Sequence, residues 1–213
     1  MNKSIAILGI HTGIGKTIAS AVIAEAIGAD YWKPVQAGLE ERDAVLVTQL
    51  LTNGKERVHE EAIKLTRPMS PHAAAKAEGI EIDYTKFKWP GTNKTLLVET
   101  AGGILSPMSS TTTMADFVSH YQLPVILITQ NYLGSINHTL LSIEVLRSRG
   151  IKLLGVIVNG ITNESSESFI KQYAQLPIMT SIPYLDMLNN DSIVKAAAQI
   201  KPSLYNLLNN GDY

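Results

Sequence analysis

A lysine and a hydroxyl following a glycine-rich turn can hold a polyphosphate, and the stretch GIHTGIGKTIAS (residues 9–20) carries that combination. Gly13 and Gly15 free the backbone to aim successive N–H groups at phosphate oxygens, and a following helix adds its positive N-terminal end. Lys16 would reach the terminal phosphates, and the Thr17 hydroxyl would hold Mg2+. The spacing is unusual. In the common loop G-x-x-x-x-G-K-[ST] the first glycine would fall on Ile10, whereas here it is Gly9. An apolar run before, glycines on either side of Ile14 and a helical pattern after mark a variant phosphate loop rather than a chance GKT.

Mg2+ takes oxygen ligands and keeps several waters, so one or two carboxylates are expected near the phosphates. Glu99 ends the apolar run TLLVET just before the glycines of AGG, where a carboxylate would emerge at a strand tip beside the loop. Asp43, in EERDAV, reads on its own as an acid in the solvated first turn of a helix. Lys33, in YWKPVQAG, reads equally as a second cation stabilising a transferred phosphoryl or acyl phosphate and as a lysine snorkelling from an edge. The histidines 11, 59, 72, 120 and 138 lack the spacing of a zinc site.

Positioning these groups requires a sheet. Short runs rich in β-branched residues recur at 4–10, 95–100, 124–129, 153–159 and 178–183, and YWKPV (31–35) adds another. They are nearly continuous rather than alternating, as in parallel strands buried on both faces. Helical spacing occupies 16–28, 41–52, 114–121, 135–149, 164–174 and 192–208. The rhythm predicts an α/β fold of the P-loop type, with a mostly parallel sheet and helices on both faces, as a single domain over 1–213. The polar segment 54–93, with RPMSPH and KWPGTN, reads as an excursion. Within it His72 starts a predicted helix after Pro71. The final NNGDY is expected to be loosely ordered.

The 213 residues, 45% apolar and 17% charged, suffice for one sizeable core. A net charge of −1 provides no global field for nucleic acid or an anionic membrane, so any anion must be held locally. The absence of cysteine excludes disulfides, thiolate metal sites and a cysteine nucleophile. No leader or long hydrophobic segment is legible, and the expectation is a soluble, cytoplasmic protein.

Together these pieces resemble the dethiobiotin synthetases along the whole chain. GIHTGIGKT resembles their G-T-D-T-x-V-G-K-T loop, displaced first glycine included. KPVQAG resembles K-P-V-x-[ST]-G, VETAGG resembles V-E-G-A-G-G, and LPVILIT with YLGSINHT resembles L-P-V-I-L-V…L-G-x-I-N-H. VIVNGI and SIPYL resemble the family's nucleotide-base segments.

The resemblance implies an ATP-dependent ligase that joins 7,8-diaminononanoate and CO2 (or bicarbonate) into a cyclic urea. It implies catalytic roles for Lys16, Lys33 and Thr12, a Mg2+ site at Thr17, Asp43 and Glu99, and adenine recognition by Asn159 with the backbone around Pro183, Tyr184 and Leu185. Ala37, Gly102 and Gly103 would lie beside the substrate. Gly134, Ser135 and Asn137 would bind its carboxylate across a homodimer interface. RPMSPH resembles the family's S-P-H piece flanking the substrate cleft.

Three positions depart from the pattern. Gly13 stands where many members carry glutamate, Ala37 replaces a serine or threonine, and Thr100 replaces the first glycine of G-A-G-G, adding bulk near the substrate cleft.

Three rival readings use the same loop. A partitioning or division-site ATPase would carry a lysine early in the loop where His11 stands, together with a basic patch or amphipathic anchor that KPSLYNLLNNGDY does not supply. A non-catalytic nucleotide-binding module would not need both lysines and two candidate Mg2+ carboxylates. An amide ligase acting on a corrinoid precursor usually comes with a glutaminase part, absent here.

Overall fold

The apolar runs lack polar alternation because both faces of the sheet they form are covered. In the computed structural model, which describes residues 3–176 and 179–209, Ser4–Gly9 (β1) leads through the glycine loop into Lys16–Ile27 (α1). Asp30–Trp32 (β2), Val35–Ala37 (β3), Asp43–Leu50 (α2), Gly54–Arg57 (α3), Val58–His59 (β4), Ile63–Leu65 (β5) and Pro71–Glu78 (α4) follow. Leu96–Glu99 (β6), Met114–His120 (α5), Val125–Thr129 (β7), Ser135–Ser148 (α6), Leu153–Asn159 (β8), Glu164–Tyr173 (α7), Met179–Ile182 (β9) and Asn190–Asn209 (α8) complete the chain.

Seven strands pair in the order β4-β2-β6-β1-β7-β8-β9, and each named pairing is parallel. In open sheets of this kind ligands sit at the carboxyl ends of the strands. Gly9, Glu99 and Trp32 end β1, β6 and β2, which are neighbours, so the loop, the acid and Lys33 emerge along one edge.

Two expectations need correction. YWKPV is not one strand: β2 ends at Trp32, and the chain restarts beyond Lys33 and Pro34 as β3, which pairs with β5 in a separate two-stranded sheet. Proline has no N–H for a central ladder; Pro34 instead accepts from the Ile63 N–H at 2.9 Å through its carbonyl. The polar stretch 54–93 is likewise no simple excursion, since it supplies β4, β5 and α4 and covers the sheet edge. α4 does begin at Pro71, and His72 Nδ1 lies 3.0 Å from Ser70 Oγ in its first turn, a local packing contact.

The remaining elements fall within two residues of the predicted bounds, α2 (Asp43–Leu50) being two residues shorter at each end. The predicted strand at 178–183 is observed as Met179–Ile182, with Ile178 outside the described residues, as are residues 210–213 of NNGDY.

Strand alternation sorts β2 into two faces. Trp32 packs with Trp89 at 5.0 Å between ring centroids, in an aromatic cluster with Phe87 and Phe117. Tyr31 points the other way and is completely buried. Its partner in register is Leu97 of β6, so one step of two residues sets Lys33 beside Glu99 on the same face. Arg57 fastens the far end of α1: its guanidinium donates to the carbonyls of Ala24 and Ala29 and pairs with Glu25 at 2.7 Å.

Candidate functional site: a phosphate loop beside a buried carboxylate

Gly9 explains the displaced spacing. A Cβ there would lie 2.8 Å from Ile14 Cδ1 and 2.9 Å from Lys16 Cδ, so the missing side chain is the space through which the lysine stem folds back over the loop. Lys16 is buried and donates through Nζ to the His11 carbonyl at 3.1 Å. Burial lowers its pKa, and the nearby Lys33 charge adds to that while Glu99 and Asp43 oppose it.

Gly15 is the N-cap of α1 at φ 73°, a left-handed conformation that suits glycine. A Cβ on it would come within 2.2 Å of Asn159 Nδ2, which instead donates to the Ile14 carbonyl at 2.9 Å. The first turn of α1 carries no side-chain cap and no acid, which leaves its N-terminal field uncompensated for an anion.

Behind the loop, four polar groups converge on Glu99, which is 1% exposed. Oε1 faces the Thr17 hydroxyl at 3.0 Å and the Lys33 ammonium at 3.5 Å. Oε2 accepts from Ser20 Oγ at 2.7 Å and from the Tyr31 hydroxyl at 3.1 Å. Thr17 lies closer still to Asp43 Oδ1, at 2.6 Å, and Lys33 pairs with Asp43 Oδ2.

Burial alone would lower the Lys33 pKa, but the Glu99 and Asp43 carboxylates outweigh it and hold it above the ordinary value. Tyr31 is pushed well up, first by burial and then by the Glu99 charge, so its phenol stays a neutral donor. Asp43 is the first residue of α2, its N–H lies 3.4 Å from Gln36 Oε1, and its neighbour Arg42 is held by Glu61 at 3.1 Å.

This donor set fits a small hard cation. It consists of oxygen ligands, two carboxylates and a hydroxyl, and the Lys33 ammonium lies between the carboxylates as a positive stand-in. The structure thus brings together Thr17, Asp43, Glu99 and Lys33 as expected, and it resolves the two open readings: Asp43 is no free first-turn acid and Lys33 does not snorkel.

On the other side of the loop, a cleft of about 420 Å³ is lined by Thr12, Gly103, Leu105, Ser106, His138 and Leu141 among others. The Gly103 N–H donates to Ser106 Oγ at 2.7 Å, which fixes the turn after Gly102. Thr100 does not add bulk to this cleft: it is 2% exposed, and its hydroxyl turns back to the Ile7 carbonyl at 3.4 Å. Ala37 lies half-buried at the end of β3 and does not line the cleft either. Gly13 is exposed at φ 83°.

Gly134 and Asn137, at the start of α6, line a different groove of about 790 Å³ with Leu133, Ile136 and Ile161, while Ser135 is buried. Gly160 N–H donates to the Ile182 carbonyl at 2.9 Å, which sets Asn159 beside the Pro183–Leu185 segment, where Tyr184 is exposed.

The sequence reading missed Ser20 and Tyr31. Each had a signal: Ser20 is one helical turn beyond Thr17, and Tyr31 is two strand positions before Lys33.

A parallel sheet whose first strand runs through a glycine loop and a Lys-Thr pair into a helix, with an acid at the tip of the adjoining strand, defines a P-loop nucleotide-binding protein. Solved structures agree at the level of the fold. A ParA family ATPase from Chlorobium tepidum TLS superposes with a TM-score of 0.54 at 12% identity over 96% of both chains. A MinD septum site-determining protein complexed with Mg-ADP, from Pyrococcus horikoshii OT3, gives 0.51 at 16% identity, covering 95% of this chain and 90% of that one. The family described as an AAA domain matches residues 3–192.

Sequence relatives are more specific. ATP-dependent dethiobiotin synthetases from Christiangramia forsetii and Cytophaga hutchinsonii are 44% and 39% identical, covering 93% and 95% of this chain and 96% and 99% of their own. A Brucella ovis protein of the same name is 41% identical over 91% of this chain and 92% of its own. The chain belongs to the ATP-dependent dethiobiotin synthetase family.

Gly9→Ala tests the account of the displaced glycine. Displacing the Lys16 stem should weaken ADP binding about ten-fold by calorimetry, the size of a modest overpacking cost, with the circular dichroism spectrum unchanged. Wild-type affinity would remove the role given to Gly9.

Proposed function

We propose that this protein closes 7,8-diaminononanoate and CO2 into dethiobiotin at the expense of ATP, with Mg2+ held at Thr17, Asp43 and Glu99. The observation that carries this reading is the meeting of Lys33, Asp43 and Glu99 at Thr17, behind a phosphate loop whose other side borders an open cleft. Kinship at about two-fifths identity over nearly the full chain supports the choice of reaction. The fold likeness to ParA and MinD proteins extends to the fold alone and brings neither their partners nor their surfaces.

The chemistry needs no protein nucleophile. One amine of the diamine takes up CO2 as a carbamate, and a carbamate oxygen attacks the γ-phosphorus of ATP, releasing ADP and leaving a carbamic-phosphoric mixed anhydride. The second amine attacks the anhydride carbon, the C–O bond to phosphate breaks, and the cyclic urea, phosphate and a proton are released.

Catalysis on such a route is alignment and charge stabilisation. Loop N–H groups and Lys16 hold the phosphates, Lys33 offsets charge on carbamate and transferring phosphoryl, and Thr12 faces the cleft that takes the diamine. Bound with the triphosphate, Mg2+ supplies positive charge at the phosphate oxygens. Asn159 and the Pro183–Leu185 segment flank the adenine, with the Asn159 amide also bracing the loop.

Gly134, Ser135 and Asn137 receive the substrate carboxylate at the N-terminus of α6, in a homodimer. The groove there supports that arrangement: Leu133 is fully exposed and Ile161 is 73% exposed. Among the described residues no helix is long and apolar enough to cross a membrane, in keeping with work in the cytoplasm.

The route has an isotopic signature. Because the C–O bond breaks at ring closure, phosphate formed from 18O-bicarbonate should carry one labelled oxygen, and unlabelled phosphate under fast turnover would rule the carbamate route out. Lys33→Ala should retain ATP binding while turnover falls by roughly two orders of magnitude or more, the scale of losing one preorganised charge; near-normal turnover would remove its role. Size-exclusion with light scattering should find a dimer, and an active monomer would sink the shared carboxylate site.

A further inference from the structure

Glu99 is bound differently at its two oxygens. Oε1 looks toward Thr17 and Lys33, the side where Asp43 also converges, whereas Oε2 is used up by Ser20 at 2.7 Å and Tyr31 at 3.1 Å. A carboxylate oxygen has two lone pairs, so two hydroxyl donors occupy Oε2. With the residue 1% exposed, bulk solvent does not reach it to replace either donor. The carboxylate plane therefore cannot turn about its last torsion without breaking two charge-assisted hydrogen bonds.

The two donors come from different elements. Ser20 rises from α1 one turn below Thr17, and Tyr31 comes across from β2, where its side chain is completely buried between sheet and helix.

We propose that Tyr31, with Ser20 as its counterpart, is a positioning residue that locks Glu99 so that Oε1 alone is presented to the cation accompanying the nucleotide. The role of Tyr31 rests on the reading of Thr17, Asp43 and Glu99 as the cation site, and it extends that reading to a residue that touches neither cation nor nucleotide. Groups that orient a metal ligand from behind typically alter metal affinity by about ten-fold or more when lost. Tyr31 is well suited to it: the phenol has one proton to give, and its ring is completely buried on a strand held in parallel register with β6.

Tyr31→Phe keeps the ring and removes only the hydroxyl. Calorimetric titration of Mg2+ into the protein–ADP complex should show the cation bound about ten-fold more weakly, while ADP binding without metal stays within about two-fold of wild type. Ser20→Ala should shift the same quantity in the same direction, and it carries the test should Tyr31→Phe lose its fold. A Mg2+ affinity within about two-fold of wild type in both variants overturns the inference. So does a loss of metal-free ADP binding in step with the loss of Mg2+, since that would mark general damage to the site. If instead wild-type ADP binding is indifferent to Mg2+, the cation reading itself fails and the inference falls with it.

Discussion

A carboxylate at the tip of a central strand, almost wholly removed from water, is costly unless every lone pair finds a donor or a charge. Glu99 imposes that demand here, and the surrounding elements are arranged around it. Thr17 and Ser20 reach it from α1, Tyr31 from β2 and Lys33 from the turn where β2 gives way to Pro34. Each of these donors is useful only if its element sits at the right height against β6, and the parallel register of Tyr31 with Leu97 sets that height for β2. Satisfying one buried acid therefore also aligns the phosphate loop, the second lysine and the strand tips into a site whose charges are in place before any ligand arrives.

Lys33 shows how that balance is kept. Two acids this close repel, and the ammonium between them removes the repulsion while the site waits. In the proposed reaction the same lysine would offset charge developing on the transferring phosphoryl. A binding module that merely recognised ATP would have little use for a second buried cation held at a pair of acids, which favours chemistry over passive nucleotide binding.

What could be read from the chain follows from how local each signal is. The glycine loop, Lys16 and Thr17 are contiguous, and Glu99 stands at a strand end followed by glycines, so their place at the strand tips was legible. Asp43 lies 26 positions from Thr17, and only the folded turn after β3 brings them within 2.6 Å. Tyr31 was hidden for another reason. All three residues of β2 are buried, the charged Asp30 included, so no exposed-buried alternation announces which side chain faces the site. Thr100 was misjudged on the same ground, since its place in the motif did not tell which way its side chain turns. The split of YWKPV needed the partner strand β5, which lies in a stretch whose polar composition concealed regular structure.

The central claim is that this arrangement makes a cyclic urea, and it is tested most directly by following ADP and product mass from purified protein given MgATP and bicarbonate, with and without 7,8-diaminononanoate. The account predicts ADP release that depends on the diamine and is matched by dethiobiotin in equal amount. ADP formation indifferent to the diamine, or nucleotide binding with no urea formed, would contradict it.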